Sequence, residues 1–128
     1  MDWYDSLAKP TWTPPPVFIG TMWTVLYPII IVTFGYMVYR IARGMVPTSL
    51  LVPITINVVS NIAFTPIQFG LRNLPLASVD ILIVLVTIVW CMVAFLPYSR
   101  LATLALTPYL AWVTTASVLQ FSITWMNR

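Results

Sequence analysis

Asn57 and Asn61 stand four residues apart, Phe64 and Gln68 continue the spacing at i+7 and i+11, and Ser60 and Thr65 flank the row. On a helix these four side chains share one face. Amides in so apolar a stretch must find partners, because an unsatisfied polar group in hydrocarbon costs several kcal/mol. Two arrangements meet that demand. The amides either hydrogen-bond to neighbouring helices and lock a bundle, or they face an internal cavity and hold the polar edge of a ligand. Nearer the carboxyl terminus, Tyr109, Trp112, Ala116 and Gln120 form a second face at i, i+3, i+7 and i+11. Large rings beside a small residue and an amide suit a planar apolar guest, and they also suit a packed aromatic core. Trp23, with Leu26 and Tyr27, poses the same choice earlier in the chain.

Other chemistry is scarce. The chain contains no His, which excludes a His-based triad, a His-ligated metal and imidazole ligation of haem. Cys91 is the single cysteine, so neither an intrachain disulfide nor a Cys-pair metal site is available. No acid–base dyad and no nucleophile–base pair stands out, so no catalytic residue and no metal ligand is assigned. Asp80 follows Pro75 by about one turn and lies near Arg72, where the start of a helix favours its charge; an interfacial structural role is expected. A net charge of +3 spread over segment boundaries offers no patch for nucleic acid.

The elements that position these residues follow from composition. Of 128 residues, 60% are hydrophobic and only 7% charged, against about 25% charged in a soluble domain. A spanning helix needs roughly 20 apolar residues. Charges bound four uncharged stretches of that size, ending at Arg40, between Arg43 and Arg72, between Asp80 and Arg100, and before Arg128. The spacing predicts transmembrane helices at about 17–39, 46–70, 75–97 and 101–126 in one transmembrane domain. The fold class is an all-α membrane protein: an antiparallel bundle of four helices joined by short turns. Runs such as Ile29-Ile30-Ile31-Val32 do not alternate, which argues against a β-barrel.

Residues 1–16 carry Asp2, Asp5, Lys9 and several prolines without an apolar core, so they read as an interfacial segment and not as a secretory signal. Trp3, Tyr4, Leu7 and Trp12 are expected at headgroup level. Pro14-Pro15-Pro16 stiffens entry into the first helix. Orientation stays open: Lys9, Arg72 and Arg128 fall on one side, Arg40, Arg43 and Arg100 on the other. Interior prolines such as Pro28, Pro53 and Pro66 free carbonyls and kink helices, which opens space in a bundle.

Trp3-Tyr4-Asp5-Ser6-Leu7-Ala8-Lys9-Pro10-Thr11-Trp12-Thr13-Pro14-Pro15 resembles the WYxxLxKPxWxPP signature of the TspO/MBR family, the tryptophan-rich sensory or translocator proteins also called peripheral benzodiazepine receptors. Trp23-Thr24-Val25-Leu26-Tyr27 resembles its VWTxLY segment, and Asn61-Ile62-Ala63-Phe64 stands where the family often has NxxW. Leu76-Ala77-Ser78-Val79-Asp80-Ile81 is similar to its LAxxxI stretch. Pro108-Tyr109-Leu110-Ala111-Trp112, with Ala116, is similar to its final-helix motif.

The resemblance implies an integral, multi-pass protein of a bacterial or organellar membrane, often dimeric, with a ligand pocket between helices. It implies porphyrins (protoporphyrin IX or haem) as ligands, along with sterol-like molecules in some members and synthetic aromatic drugs, and no required cofactor. Carried over by motif, Trp23 and Trp112 become pocket tryptophans, Asn61 and Ala116 line the same pocket, and Tyr109 and Phe64 lie close by. The row and stripe above add Tyr27 and Asn57. Three departures stand out. The family signature follows a first helix that is not seen before residue 3, which predicts an open wall completed by lipid, a second copy or another subunit. Phe64 replaces the usual Trp, and Gln120 stands where Asn is common. The tail lacks the Tyr of the cholesterol-contact segment, which argues against sterol recognition of the vertebrate kind.

The leading expectation is a membrane receptor or sensor that stacks flat tetrapyrroles on Trp23 and Trp112, with Asn57 and Asn61 satisfying polar edges. Such a sensor would be tied to tetrapyrrole metabolism or stress. Two alternatives are carried with it: a structural or assembly subunit of a larger membrane complex, and light-dependent porphyrin breakdown.

Overall fold

A computed structural model describes residues 6–127, without the side chains of Pro16 and Phe69. Trp3, Tyr4 and the first five residues of the expected interfacial segment lie outside the described residues. All described elements are helical: α1 Pro16–Ala42, a 3₁₀ turn Thr48–Leu50, α2 Leu51–Thr65, a wider turn Pro66–Gly70, α3 Leu74–Phe95, α4 Arg100–Ala105 and α5 Thr107–Met126. Together they supply four stretches long and apolar enough to cross a membrane: Val17–Ala42, Thr48–Gln68, Leu74–Phe95 and Arg100–Met126.

Local chemistry sets the ends. Pro16 opens α1, where a missing N–H is harmless, and Gly44 at φ 72° turns the chain after its last turn. The side chain of Asn73 accepts the amide of Leu76 at 3.0 Å to cap α3, and Ser99 accepts that of Ala102 at 3.1 Å to cap α4.

Two spans depart from the single uninterrupted helices expected. Pro66 has no N–H to offer the preceding turn, and the chain widens there into a π-type turn in which Leu71 N–H donates to Pro66 O at 2.9 Å. Pro108 likewise interrupts the fourth span, so α4 and α5 meet at Leu106. The π turn also leads into Arg72, which adopts φ 53° in the left-handed region.

The central element is α3, which packs along both α2 and α5. Small side chains permit the approach to α5: Ser78 and Thr124 join hydroxyls across that seam at 2.6 Å, and Ala77 is fully buried. By contrast, α1 approaches α4 and α5 only over short stretches and reaches the others through long side chains. The outward faces are apolar, with Val17, Ile31, Val59 and Leu104 among the exposed residues, as a lipid-facing surface requires.

The first and last described stretches meet on one side of the bundle. Ala8 N–H donates to Asn127 Oδ1 at 3.0 Å, and Asn127 Nδ2 donates back to Ala8 O at 2.8 Å. Leu7 packs beside Leu74, Leu119 and Ile123 at the same end.

Candidate ligand-binding cavity

The side chains of the predicted amide row sort themselves into a ladder. Tyr27 OH donates to Asn61 Oδ1 at 3.4 Å, Asn61 Nδ2 donates to Tyr109 OH at 2.6 Å, and Tyr109 OH donates to Asn57 Oδ1 at 3.0 Å. Asn57 Nδ2 then donates to Thr87 Oγ1 at 3.0 Å and to Val84 O at 3.2 Å. Thr87 Oγ1 in turn donates to Ile83 O at 2.8 Å. This ladder ties α1, α2, α5 and α3 together, and the buried hydroxyls of Tyr109 and Thr87 both accept and donate, so their bonds polarise one another.

On one side of the ladder the bundle is filled. On the other side it encloses a cavity of about 310 Å³, at the lower end of the range for small-molecule sites. Ile19, Gly20, Trp23 and Tyr27 wall it from α1, and Asn61, Phe64, Thr65 and Gln68 from α2 and the π turn. Ile81 and Val84 contribute from α3, and Trp112, Ala116, Leu119, Gln120 and Ile123 from α5. These residues lie in the first half of α1 and α3, in the second half of α2, and between Trp112 and Ile123 in α5. The cavity therefore sits toward the chain ends, the side that carries Lys9 and Arg72.

Four rings, Trp23, Tyr27, Phe64 and Trp112, stand in a wall that is otherwise mostly aliphatic. Trp23 is the hub: it stacks on Tyr27 with centroids 5.3 Å apart, and meets Tyr109 at 6.5 Å and Trp112 at 6.4 Å edge to face. Phe18 abuts Trp112 from outside the lining, at 6.0 Å. None of the lining residues carries charge. Two lining residues hold polar atoms with no partner among the described residues: Trp112 Nε1 and Gln68 Oε1. Such orphans are uncommon in native interiors, and a ligand is one of the standard ways to complete them.

Six of the expected pocket residues line this cavity: Trp23, Tyr27, Asn61, Phe64, Trp112 and Ala116. The other two do not. Asn57 and Tyr109 are fully buried within the ladder, where their polar atoms are spent on each other, on Asn61 and on α3. Asn57 thus follows the bundle-locking reading, while Asn61, one turn on, belongs to both the ladder and the cavity. Asp80 lies in the second turn of α3, with 7% exposure and an Oδ2 that has no partner among the described residues.

The described signature residues build the approach to α1 and stay off the cavity wall. Lys9 Nζ donates to Leu7 O at 3.1 Å, Pro10 O accepts the Thr13 amide at 3.1 Å and its hydroxyl at 2.6 Å, and Trp12 is half exposed. Pro14 and Pro15 lead directly into Pro16.

Sequence reasoning missed the aliphatic part of the wall, Ile19, Gly20, Leu119 and Ile123 as well as Ile81 and Val84, because such residues recur on every face of these helices and give no facial signal. Gln68 and Gln120 were visible in the helical spacing and belong to the wall.

A profile described as the TspO/MBR family matches residues 1–126. The chain is 37% identical over 126 residues to the uncharacterized membrane protein YtaB of Bacillus subtilis, covering 98% of this chain and 81% of that protein. It is 34% identical over 125 residues to the tryptophan-rich protein TspO of Bacillus cereus, covering 98% and 80%. It is also 34% identical over 125 residues to the human translocator protein, covering 94% and 72%.

Proposed function

Because the chain belongs to the TspO/MBR family and is an integral, multi-pass membrane protein, we propose that it is a receptor whose cavity takes a flat, apolar ligand of the porphyrin type. The observation that carries this reading is the four rings that border an uncharged space, with the indole N–H of Trp112, which has no partner among the described residues, on that wall. Rings on α1, α2 and α5 offer faces and edges to a conjugated guest. The N–H of Trp112 needs an acceptor, and Asn61 supplies a polar edge already held in place by Tyr109.

Size limits the pose. A cavity of about 310 Å³ holds only part of a tetrapyrrole, so one edge of the macrocycle enters and the rest lies between helices or against lipid. Ionised propionates belong outside, toward the end that bears Lys9 and Arg72, since the uncharged wall gives them no counter-ion. Nothing in the wall arranges a nucleophile beside a base, so the reading is one of binding and signalling.

Titration of the protein in lipid nanodiscs with protoporphyrin IX, followed by Trp quenching and the pigment absorption band, tests it. Saturable binding in the low micromolar range, weakened at least tenfold by Trp112→Ala, is the expected result. Quenching that rises linearly with pigment, or that ignores Trp112→Ala, overturns it.

A further inference from the structure

At the end of the bundle away from the cavity, α1 finishes and α4 begins among arginines. Arg40 lies in the last turn of α1, Arg43 follows as its cap, and Arg100 opens α4. Arg40 is partly buried and pinned: it donates to Tyr98 O at 2.7 Å, and its guanidinium lies 5.6 Å from the centre of the Tyr36 ring. The bond to Tyr98 brings Arg100 close, since two residues of chain reach at most about 7 Å. Arg43 stands over the Tyr39 ring at 5.8 Å, and both Arg43 and Arg100 are exposed.

Three cations share this end, and no acid among the described residues answers them. The one described acid, Asp80, lies in the second turn of α3, roughly 20 Å along that helix from Phe95. Tyrosine faces hold two of the guanidiniums without neutralising them. Arg40 Nε is buried with no partner among the described residues, so its group is only partly satisfied. A charge kept from water is costly without a counter-charge, and a nearby anion need not touch Nε to supply one.

We propose that this end is a headgroup site for an anionic phospholipid, whose phosphate sits among Arg40, Arg43 and Arg100. The site is separate from the cavity and stands whatever the cavity binds. Guanidiniums match phosphate oxygens with paired N–H donors, and stacking on tyrosine reduces the freedom lost on binding. All three arginines lie at the ends of spanning segments, the level of the bilayer phosphates. The faces below them are apolar. Tyr36 and Val32 continue the Arg40 face into the membrane at i−4 and i−8, and Leu104 continues that of Arg100 at i+4, all exposed. A lipid lays its acyl chains along these side chains while its phosphate meets the arginines, which a free anion does not do. Net charge sets the preference, because a zwitterionic lipid brings its own cation beside the phosphate.

Nanodiscs holding equal amounts of phosphatidylglycerol and phosphatidylcholine, followed by native mass spectrometry of the released protein, count the lipids that stay bound. The wild-type chain is expected to retain phosphatidylglycerol about tenfold over phosphatidylcholine. Arg43→Gln and Arg100→Gln are each expected to cut that ratio about three- to fivefold. Both side chains are exposed, so neither change disturbs the packed interior. Arg72→Gln, at the opposite end, is expected to leave the ratio within about twofold. Equal retention in the wild type, a ratio that ignores both substitutions, or an equal fall in Arg72→Gln overturns the proposal.

Thermal melts separate a lipid from a free anion. Phosphatidylglycerol is expected to raise the wild-type melting temperature by a few degrees over discs of phosphatidylcholine alone, and not that of the Arg43→Gln, Arg100→Gln double variant. Inorganic phosphate added to phosphatidylcholine discs is expected to do nothing. A rise with phosphate equal to that with phosphatidylglycerol makes the occupant a free anion and overturns the lipid site.

Discussion

The same four spans build two unlike halves. Beyond the ladder, toward the turn at residues 43–47, Leu26, Phe34, Met37, Ile88, Phe95 and Leu106 fill the interior, and the rings of Phe34 and Phe95 meet edge to face at 6.2 Å. That end is also held by polar ties: Arg40 donates to Tyr98 O at 2.7 Å, and Thr103 donates to Met92 O at 3.2 Å. Toward the chain ends, residues of similar kinds stand around about 310 Å³ of space. Hydrophobicity therefore does not distinguish the halves. What differs is shape: Phe and Leu interlock across a close-packed seam in one, whereas indoles and amides lean on one another around open space in the other. A membrane bundle gains little from hiding carbon from lipid, so packing and hydrogen bonds decide its stability. A half that gives up packing must be held by something else. Here the ladder and the Asn127–Ala8 clamp close it at its two ends.

Truncations on either side of the ladder give the largest expected contrast. Phe95 is fully buried in the filled half, and Phe95→Ala is expected to cost about 2 kcal/mol, the cavity part of the loss, since transfer from water is absent in a bilayer. Leu119→Ala enlarges a space that already exists and is expected to cost less than half as much. Thermal melts in nanodiscs measure both. Protoporphyrin affinity is expected to hold for Phe95→Ala and to change for Leu119→Ala. Equal costs with equal effects on binding would erase the distinction between the halves.

The ladder itself comes next. Tyr109→Phe keeps the ring against Trp23 but strands Asn57 Oδ1 and Asn61 Nδ2. Hydrogen bonds between membrane helices are worth about 0.6–1.7 kcal/mol, so a loss of about 1 kcal/mol is expected in the melt. The same change frees Asn61 and Tyr27 at the cavity wall and is expected to weaken pigment binding several-fold. Thr87→Val, at the far end of the ladder, removes a partner of Asn57 with a similar loss of stability but leaves the wall in place. A binding defect as large for Thr87→Val as for Tyr109→Phe would make the ladder a single rigid unit.

How much of this was legible in the residues depends on what each half asks of them. Four spans could be read from charge spacing, because a bilayer imposes one length on every helix. The breaks at Pro66 and Leu106 could not be placed, since a proline states that a bond is missing without saying how the chain will widen or bend around it. Asn57 and Asn61 look alike in sequence and on a helical wheel. Only the crossing of Tyr109 between them shows that one amide is spent on the bundle and the other borders the space. The α3 wall, Ile81 and Val84, carries no pattern because that helix is buried or lipid-facing on all sides. Family resemblance located Trp23 and Trp112; it did not single out Gln68, whose Oε1 has no partner among the described residues beside the cavity.

The finest contrast lies within one helix. Gly20 and Gly35 both belong to α1, and a Cβ at either meets nothing within 4 Å. Alanine is the better helix former by roughly 0.5–1 kcal/mol, so each substitution is expected to raise the melting temperature slightly and by the same amount. Their effects on binding should separate. Gly20 lines the cavity one turn before Trp23, and a methyl group there intrudes where the ligand edge would lie against α1. Gly35 lies in the filled half and away from that wall. Gly20→Ala is therefore expected to lower protoporphyrin affinity about two- to fivefold while Gly35→Ala leaves it unchanged, both read by Trp quenching. Because the stability terms cancel between the two variants, the difference in affinity reports the cavity alone. An unchanged affinity in Gly20→Ala would place the ligand nearer α5, against Trp112 and Ala116, and away from the face of α1.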